Sequence, residues 1–193
     1  MKAARRRLGV ALILLCGTTS VAWADSIAQR LAPCYACHGD NGQSHNPDTP
    51  SLGAQPSAYV LIQLYLFREK LRRVDLMNEA VKGFTDDDLR TFADTLSRLP
   101  PPRPAADATD PARLDRGRAL SHQHRCNICH SPDLAGRDNV PRIAGQREDF
   151  LVKTMREYKA NIRPGYDASM GDVMQPVSDA DILELAYFTA RQP

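Results

Sequence analysis

The chain has 193 residues, 42% of them apolar and 25% charged, which is the composition of a soluble globular protein and excludes a disordered, collagenous or multi-span membrane chain. Its 25 Lys and Arg against 23 Asp and Glu leave a net charge of +2. One or two small domains are expected from that length.

The N-terminus opens with Lys2, Arg5, Arg6 and Arg7, continues with an apolar run from Leu8 to Leu15, and reaches the small-x-small sequence Ala22-Trp23-Ala24 before Asp25. These are the parts of a Sec-type signal peptide cleaved after Ala24. The run is too short to span a bilayer, and an uncleaved anchor is the alternative. Cys16 stands where a lipoprotein signal needs a small residue before it, and the arginines lack the flanking residues of a twin-arginine signal. Removal of residues 1 to 24 leaves a secreted chain of 169 residues with 21 basic and 23 acidic side chains.

The remaining sequence repeats itself. Cys34-Tyr35-Ala36-Cys37-His38 and Cys126-Asn127-Ile128-Cys129-His130 are two CxxCH motifs 92 residues apart. Pro50-Ser51-Leu52-Gly53-Ala54-Gln55 answers to Pro141-Arg142-Ile143-Ala144-Gly145-Gln146 at a spacing of 91, as do Tyr59 to Phe150 and Arg72 to Arg163. Thr85-Asp86-Asp87-Asp88-Leu89 matches Ser178-Asp179-Ala180-Asp181-Ile182 at 93.

Helical periodicity runs over roughly 57 to 72 and 148 to 160. A hydroxyl followed three residues later by an acid predicts a helix start at Thr85 and at Ser178. Leu89, Phe92, Ala93 and Leu96 then recur at helical spacing, as do Ile182, Leu185, Ala186 and Thr189. Long loops are expected at 39 to 56 and 131 to 146. Pro100-Pro101-Pro102-Arg103-Pro104 reads as a stiff linker, and Asp110-Pro111 as the N-cap and first-turn proline of the next helix. No sustained two-residue alternation occurs. The expectation is an all-α protein: an N-terminal domain over 25 to 99, a linker over 100 to 110 and a C-terminal domain over 111 to 193. Domains this small are marginal on an apolar core alone, so each needs something else at its centre.

CxxCH supplies that centre. Two thiols can add to the two vinyl groups of a haem while the adjacent histidine becomes the proximal iron ligand, so the cofactor-binding residues are Cys34, Cys37 and His38, and Cys126, Cys129 and His130. A four-cysteine zinc site would leave both histidines without a role, and a redox dithiol calls for a strand-helix setting that this sequence lacks. For the sixth iron position, Met77 and Met170 occupy equivalent places in the repeat, 39 and 40 residues beyond their histidines. Met155 aligns with Leu64 and Met174 with Val81, which marks both as core residues, Met174 remaining the competitor of Met170. The expected metal ligands are His38, Met77, His130 and Met170. Pro50 and Pro141 are placed to offer a backbone carbonyl to the far ring nitrogen of each histidine. Arg72 and Arg163 are either partners of haem propionates or solvated cations, Tyr59 and Phe150 are expected to pack near the haem, and His45, His122 and His124 are the residues that would upset the ligand assignment, of which His122 and His124 are expected on the surface.

On these motifs the chain resembles the dihaem class I cytochromes c of the cytochrome c4 type. The resemblance spans essentially 25 to 193 and is sharpest at Val140 to Gln146 and Ser178 to Asp181. It implies two cytochrome c folds with two covalently attached haem c groups, histidine and methionine ligation, and a bacterial periplasm. Phe84 departs from the leucine usual in the family, and the charged run Arg68 to Arg73 differs between the halves.

The expected function is transfer of single electrons from a respiratory-chain or dehydrogenase donor to a terminal acceptor, without catalysis. A second possibility is the cytochrome subunit of a periplasmic dehydrogenase with a flavin or quinoprotein partner. A third, a peroxidase or thiosulfate-oxidising enzyme, requires an open iron position. The expected partners are redox proteins, with peripheral membrane contact left open; neither nucleic acid nor a small-molecule substrate is expected.

Overall fold

The computed structural model describes residues 26–163 and 168–193; the signal peptide expected over 1 to 24 lies outside them. Among the described residues all regular structure is helical, apart from an isolated bridge between Arg137 and Val140.

The N-terminal half contains α1 (Ile27–His38), a 3-10 turn (Asp40–Gly42), α2 (Ser57–Arg68), α3 (Asp75–Ala80) and α4 (Asp86–Ser97). Helix α1 starts on a capping box in which Ser26 accepts from the Gln29 N–H while the Gln29 side chain returns to the Ser26 backbone. Helix α4 starts on the same device, built by Thr85 and Asp88. Its Leu89, Phe92, Ala93 and Leu96 are all buried and pack with Leu31, Val60, Leu64, Phe67 and Val81 into one core. Helix α2 stops at Arg68, short of the expected Arg72, because Lys70 takes a left-handed conformation (φ 56°) and the Arg72 N–H turns back onto the Leu66 carbonyl.

The C-terminal half contains α5 (Pro111–Gln123), α6 (Cys126–Cys129), α7 (Glu148–Lys159), α8 (Ser169–Met174) and α9 (Asp179–Ala190). Asp110 caps α5 through the N–H groups of Ala112 and Arg113, with Pro111 in the first turn. Helix α9 packs on both α5 and α7, and every residue from Leu185 to Ala190 is buried.

The linker is not a free spacer. The Ala105 N–H bonds the Ala190 carbonyl, and the chain runs against a loop of each half. A Cβ on Gly53 would lie 2.1 Å from the Pro100 oxygen, and one on Gly145 would lie 2.6 Å from the Pro102 oxygen. Gly145 also has a φ of +66°, so backbone conformation and close approach both require glycine there.

Candidate functional site

Each CxxCH histidine is aimed by the loop that follows it. His38 ends α1 and is only 6% exposed. Its Nδ1 lies 2.8 Å from the Pro50 carbonyl. His130 follows α6, is 7% exposed, and its Nδ1 lies 2.8 Å from the Pro141 carbonyl. A carbonyl oxygen can only accept, so Nδ1 carries the proton in both rings and Nε2 keeps its lone pair. Burial lowers the pKa of both histidines, against a smaller opposing effect of the Pro50 or Pro141 hydrogen bond. The rings are therefore held neutral, the form that ligates a metal.

The four CxxCH cysteines form no disulfide with one another. Cys34 and Cys126 are partly buried, whereas Cys37 and Cys129 are exposed. Burial is the largest influence on Cys34 and Cys126 and pushes both thiols up, opposite to the depression that activates a redox thiol. Among the described residues no three His, Cys, Asp or Glu side chains converge on one point, so the four cysteines do not assemble a zinc centre.

Met77 lies on α3 and Met170 on α8, each partly buried and packed against the core of its own half. Met174 is 2% exposed within the cluster of Val177, Ile182 and Leu185, and Met155 packs at its edge. Helices α3 and α8, six residues each, were not marked by periodicity in the sequence.

Arg72 and Arg163 are not solvated cations. The Arg163 side chain is 6% exposed and pairs with Glu157 at 3.1 Å. Arg72 lies over the Phe67 ring and donates to Gln63 at 2.6 Å. Burial first, and the nearby Arg163 charge second, bring its pKa down to about 10. Arg142 is also buried, and its Nε has no hydrogen-bond partner among the described residues. An anionic group is the natural complement of such cations.

Together these features fit covalent haem. Paired thiols stand beside a buried neutral histidine whose Nε2 keeps its lone pair, a methionine lies at an equivalent place in each half, and Arg72 and Arg142, partly buried and buried with no carboxylate paired to them among the described residues, suit propionates. His45 and His122 are exposed, His122 as expected, while His124 departs from the expectation: it is partly buried at the end of α5 and its Nε2, sealed from solvent, has no partner among the described residues.

The halves meet through the same loops that aim the histidines. Gln146 Nε2 donates to the Ser51 carbonyl (2.9 Å) and its Oε1 accepts from the Ser51 N–H (2.8 Å). Gln55 Nε2 donates to the Arg142 carbonyl (2.8 Å) and its Oε1 accepts from the Arg142 N–H (3.0 Å). Both glutamines belong to the repeated loop sequence, a signal of shared role that did not specify a partner. Asn78, which follows Met77, is a further residue that sequence reasoning missed: its side chain accepts from the Val74 N–H and donates to the Phe67 and Arg72 carbonyls.

No family model matches the chain. It is 27% identical to cytochrome c4 of Azotobacter vinelandii over 93% of this chain and 95% of that protein. It is 25% identical to the thiosulfate dehydrogenase electron acceptor of Stutzerimonas stutzeri, over 81% of this chain and 77% of that protein. The crystal structure of reduced recombinant cytochrome c4 from Pseudomonas stutzeri superimposes with a TM-score of 0.78 at 26% identity, covering 89% of this chain and all of that one.

Proposed function

Because the chain belongs to the cytochrome c4 family of dihaem class I cytochromes c, we propose that it passes single electrons in the periplasm between a respiratory-chain or dehydrogenase donor and a terminal acceptor. It is an electron carrier with two covalently attached haem c groups, in two tandem class I domains joined by the proline-rich linker. Haem c, when bound, supplies the one-electron chemistry.

In this reading Cys34 and Cys37 hold one group, with His38 and Met77 as iron ligands. Cys126 and Cys129 hold the other, with His130 and Met170. The domains run over 25 to 99 and 111 to 193. The observation that carries the assignment is the matched pair of buried histidines, each with Nδ1 2.8 Å from a loop carbonyl. That bond fixes ring orientation and raises ligand basicity. Methionine raises the reduction potential, and a filled sixth position suits electron transfer without ligand exchange. Arg72, Arg142 and Arg163 neutralise propionates in a partly buried setting.

Similarity to a thiosulfate dehydrogenase electron acceptor supports a dehydrogenase donor, free or stably bound, as the second reading. Among the described residues no helix is long and apolar enough to cross a membrane.

The test is an optical spectrum of the mature protein, reduced anaerobically, before and after carbon monoxide, with haem counted against protein. Two c-type haems per chain indifferent to carbon monoxide are expected. Replacing Met77 or Met170 by Ala should open one haem in each case. A reaction in the unmodified protein would overturn methionine closure, and a chain without haem would overturn the whole assignment.

A further inference from the structure

Each proximal-histidine anchor is one peptide unit thick. The Pro50 carbonyl that accepts from His38 and the Ser51 N–H that donates to Gln146 are the two ends of the same amide. The Pro141 carbonyl that accepts from His130 and the Arg142 N–H that donates to Gln55 are the two ends of its counterpart. Gln146 belongs to the C-terminal half and Gln55 to the N-terminal half, so the two relays cross. Ser51, Gln55, Arg142 and Gln146 are all buried, which keeps water from competing for these bonds.

The bonding pattern fixes how each glutamine sits. A backbone N–H demands the amide oxygen and a backbone carbonyl demands the amide nitrogen. Each glutamine meets one of each on a single residue of the other half, so a flipped amide would lose both bonds. Gln146 Oε1 also accepts from the Arg147 N–H at 3.0 Å.

We propose that Gln146 and Gln55 are crossed positioning residues, each setting the electron-donating strength of the iron-ligating histidine in the opposite half through one polarised peptide. This rests on the assignment of His38 and His130 as proximal ligands. A hydrogen bond accepted from an amide N–H draws electron density onto the carbonyl of the same peptide, and bonds in such a chain strengthen one another in a buried setting. A stronger carbonyl acceptor pulls harder on the histidine Nδ1–H, and a more basic histidine favours ferric iron. Removing the glutamine oxygen therefore raises the potential of the haem in the other half. The same contacts hold the halves together, so the tuning is present only when the interface is closed.

The decisive experiment compares the holoprotein with Gln146→Met and Gln55→Met, with the two potentials assigned to their haems by proton NMR. Gln146→Met should raise the potential of the haem on His38 more than that on His130, and Gln55→Met should do the reverse. Haem content and carbon monoxide indifference are measured on the same samples, so loss of haem ligation in the unmodified protein is distinguished from failure of the relay. Equal shifts of both haems, a larger shift in the variant's own half, or no shift would overturn the proposal. A second measurement needs no variant: in the reduced protein the Ser51 and Arg142 amides should exchange with deuterium far more slowly than exposed loop amides. Exchange as fast as in exposed loops would overturn it equally.

Discussion

In the N-terminal half a single core cluster joins α1, α2, α3 and α4, while in the C-terminal half the buried apolar residues separate into three clusters sharing α9. The attachment motifs differ as well. Cys34 to His38 completes the continuous helix α1, whereas Cys126 to Cys129 forms a separate turn after Arg125, which takes a left-handed conformation (φ 57°). The segments carrying the equivalent methionines are also tied down differently, by buried Asn78 in the first half and by partly buried Lys159 and exposed Gln175 in the second. What the two halves keep in common is the histidine, its carbonyl anchor and the glutamine that reaches across. The machinery that orients the proposed iron ligand is held constant while the packing around it diverges, which gives the two CxxCH sites different surroundings.

The largest test of that difference lies in the cores. Phe92 is 2% exposed on α4 inside the undivided cluster. Phe92→Ala removes a large side chain that its neighbours cannot collapse to replace, and it should cost about 3–5 kcal/mol. Its repeat equivalent on α9, Leu185, faces a smaller cluster, and Leu185→Ala should fall toward the lower end of about 2–5 kcal/mol. Denaturant unfolding of the reduced holoprotein measures both. A costlier Leu185 substitution would show that the divided core works as one unit.

The methionine segments come next. Asn78→Ala removes three hydrogen bonds and leaves buried backbone groups unsatisfied, at about 2–3 kcal/mol. Gln175→Ala, at an exposed site where water can substitute, should cost under about 1 kcal/mol. If Met77 is a ligand held by its segment, reduced Asn78→Ala should also bind carbon monoxide at one haem while Gln175→Ala does not. Equal behaviour of the two variants would erase the contrast between the segments.

Much of this architecture was legible in the sequence because it is local. The hydroxyl-to-acid spacing located the N-caps of α4 and α9, Asp110-Pro111 located that of α5, and the CxxCH repeat with its following proline pointed to the histidine-to-carbonyl contact. The repeat also signalled that Gln55 and Gln146 share a role. That each bonds the other half, not its own, depends on how the halves dock, which no spacing within a half encodes. The end of α2 was misplaced because the turn at Lys70 uses a left-handed conformation that a lysine does not advertise. Arg72 and Arg163 were similarly ambiguous: sequence could not tell whether two charged residues among other charges lie under aromatic rings or in water.

The smallest effect concerns how the closing helices begin. In α9, Ser178 Oγ accepts from the Asp181 N–H and donates to the Asp181 carboxylate. In α4 the carboxylate does more: Asp88 accepts from the Thr85 N–H at 2.8 Å and pairs with Arg30 from α1. The Thr85 backbone bond first, and Arg30 second, hold the Asp88 carboxyl below its usual pKa. A folded-state value below the unfolded one means that the ionised carboxylate contributes stability above the ordinary carboxylate pKa, and that this contribution is lost as the pH falls through the folded value. Asp88→Asn should therefore be less stable than the unmodified protein at neutral pH, and the gap should close as the pH drops through the carboxylate range. Asp181→Asn, which has no arginine partner to lose among the described residues, should cost less at neutral pH. Urea midpoints of the holoprotein across that pH range measure both, and a gap for Asp88→Asn that does not change with pH would show that the α1 to α4 tie rests on packing instead of charge.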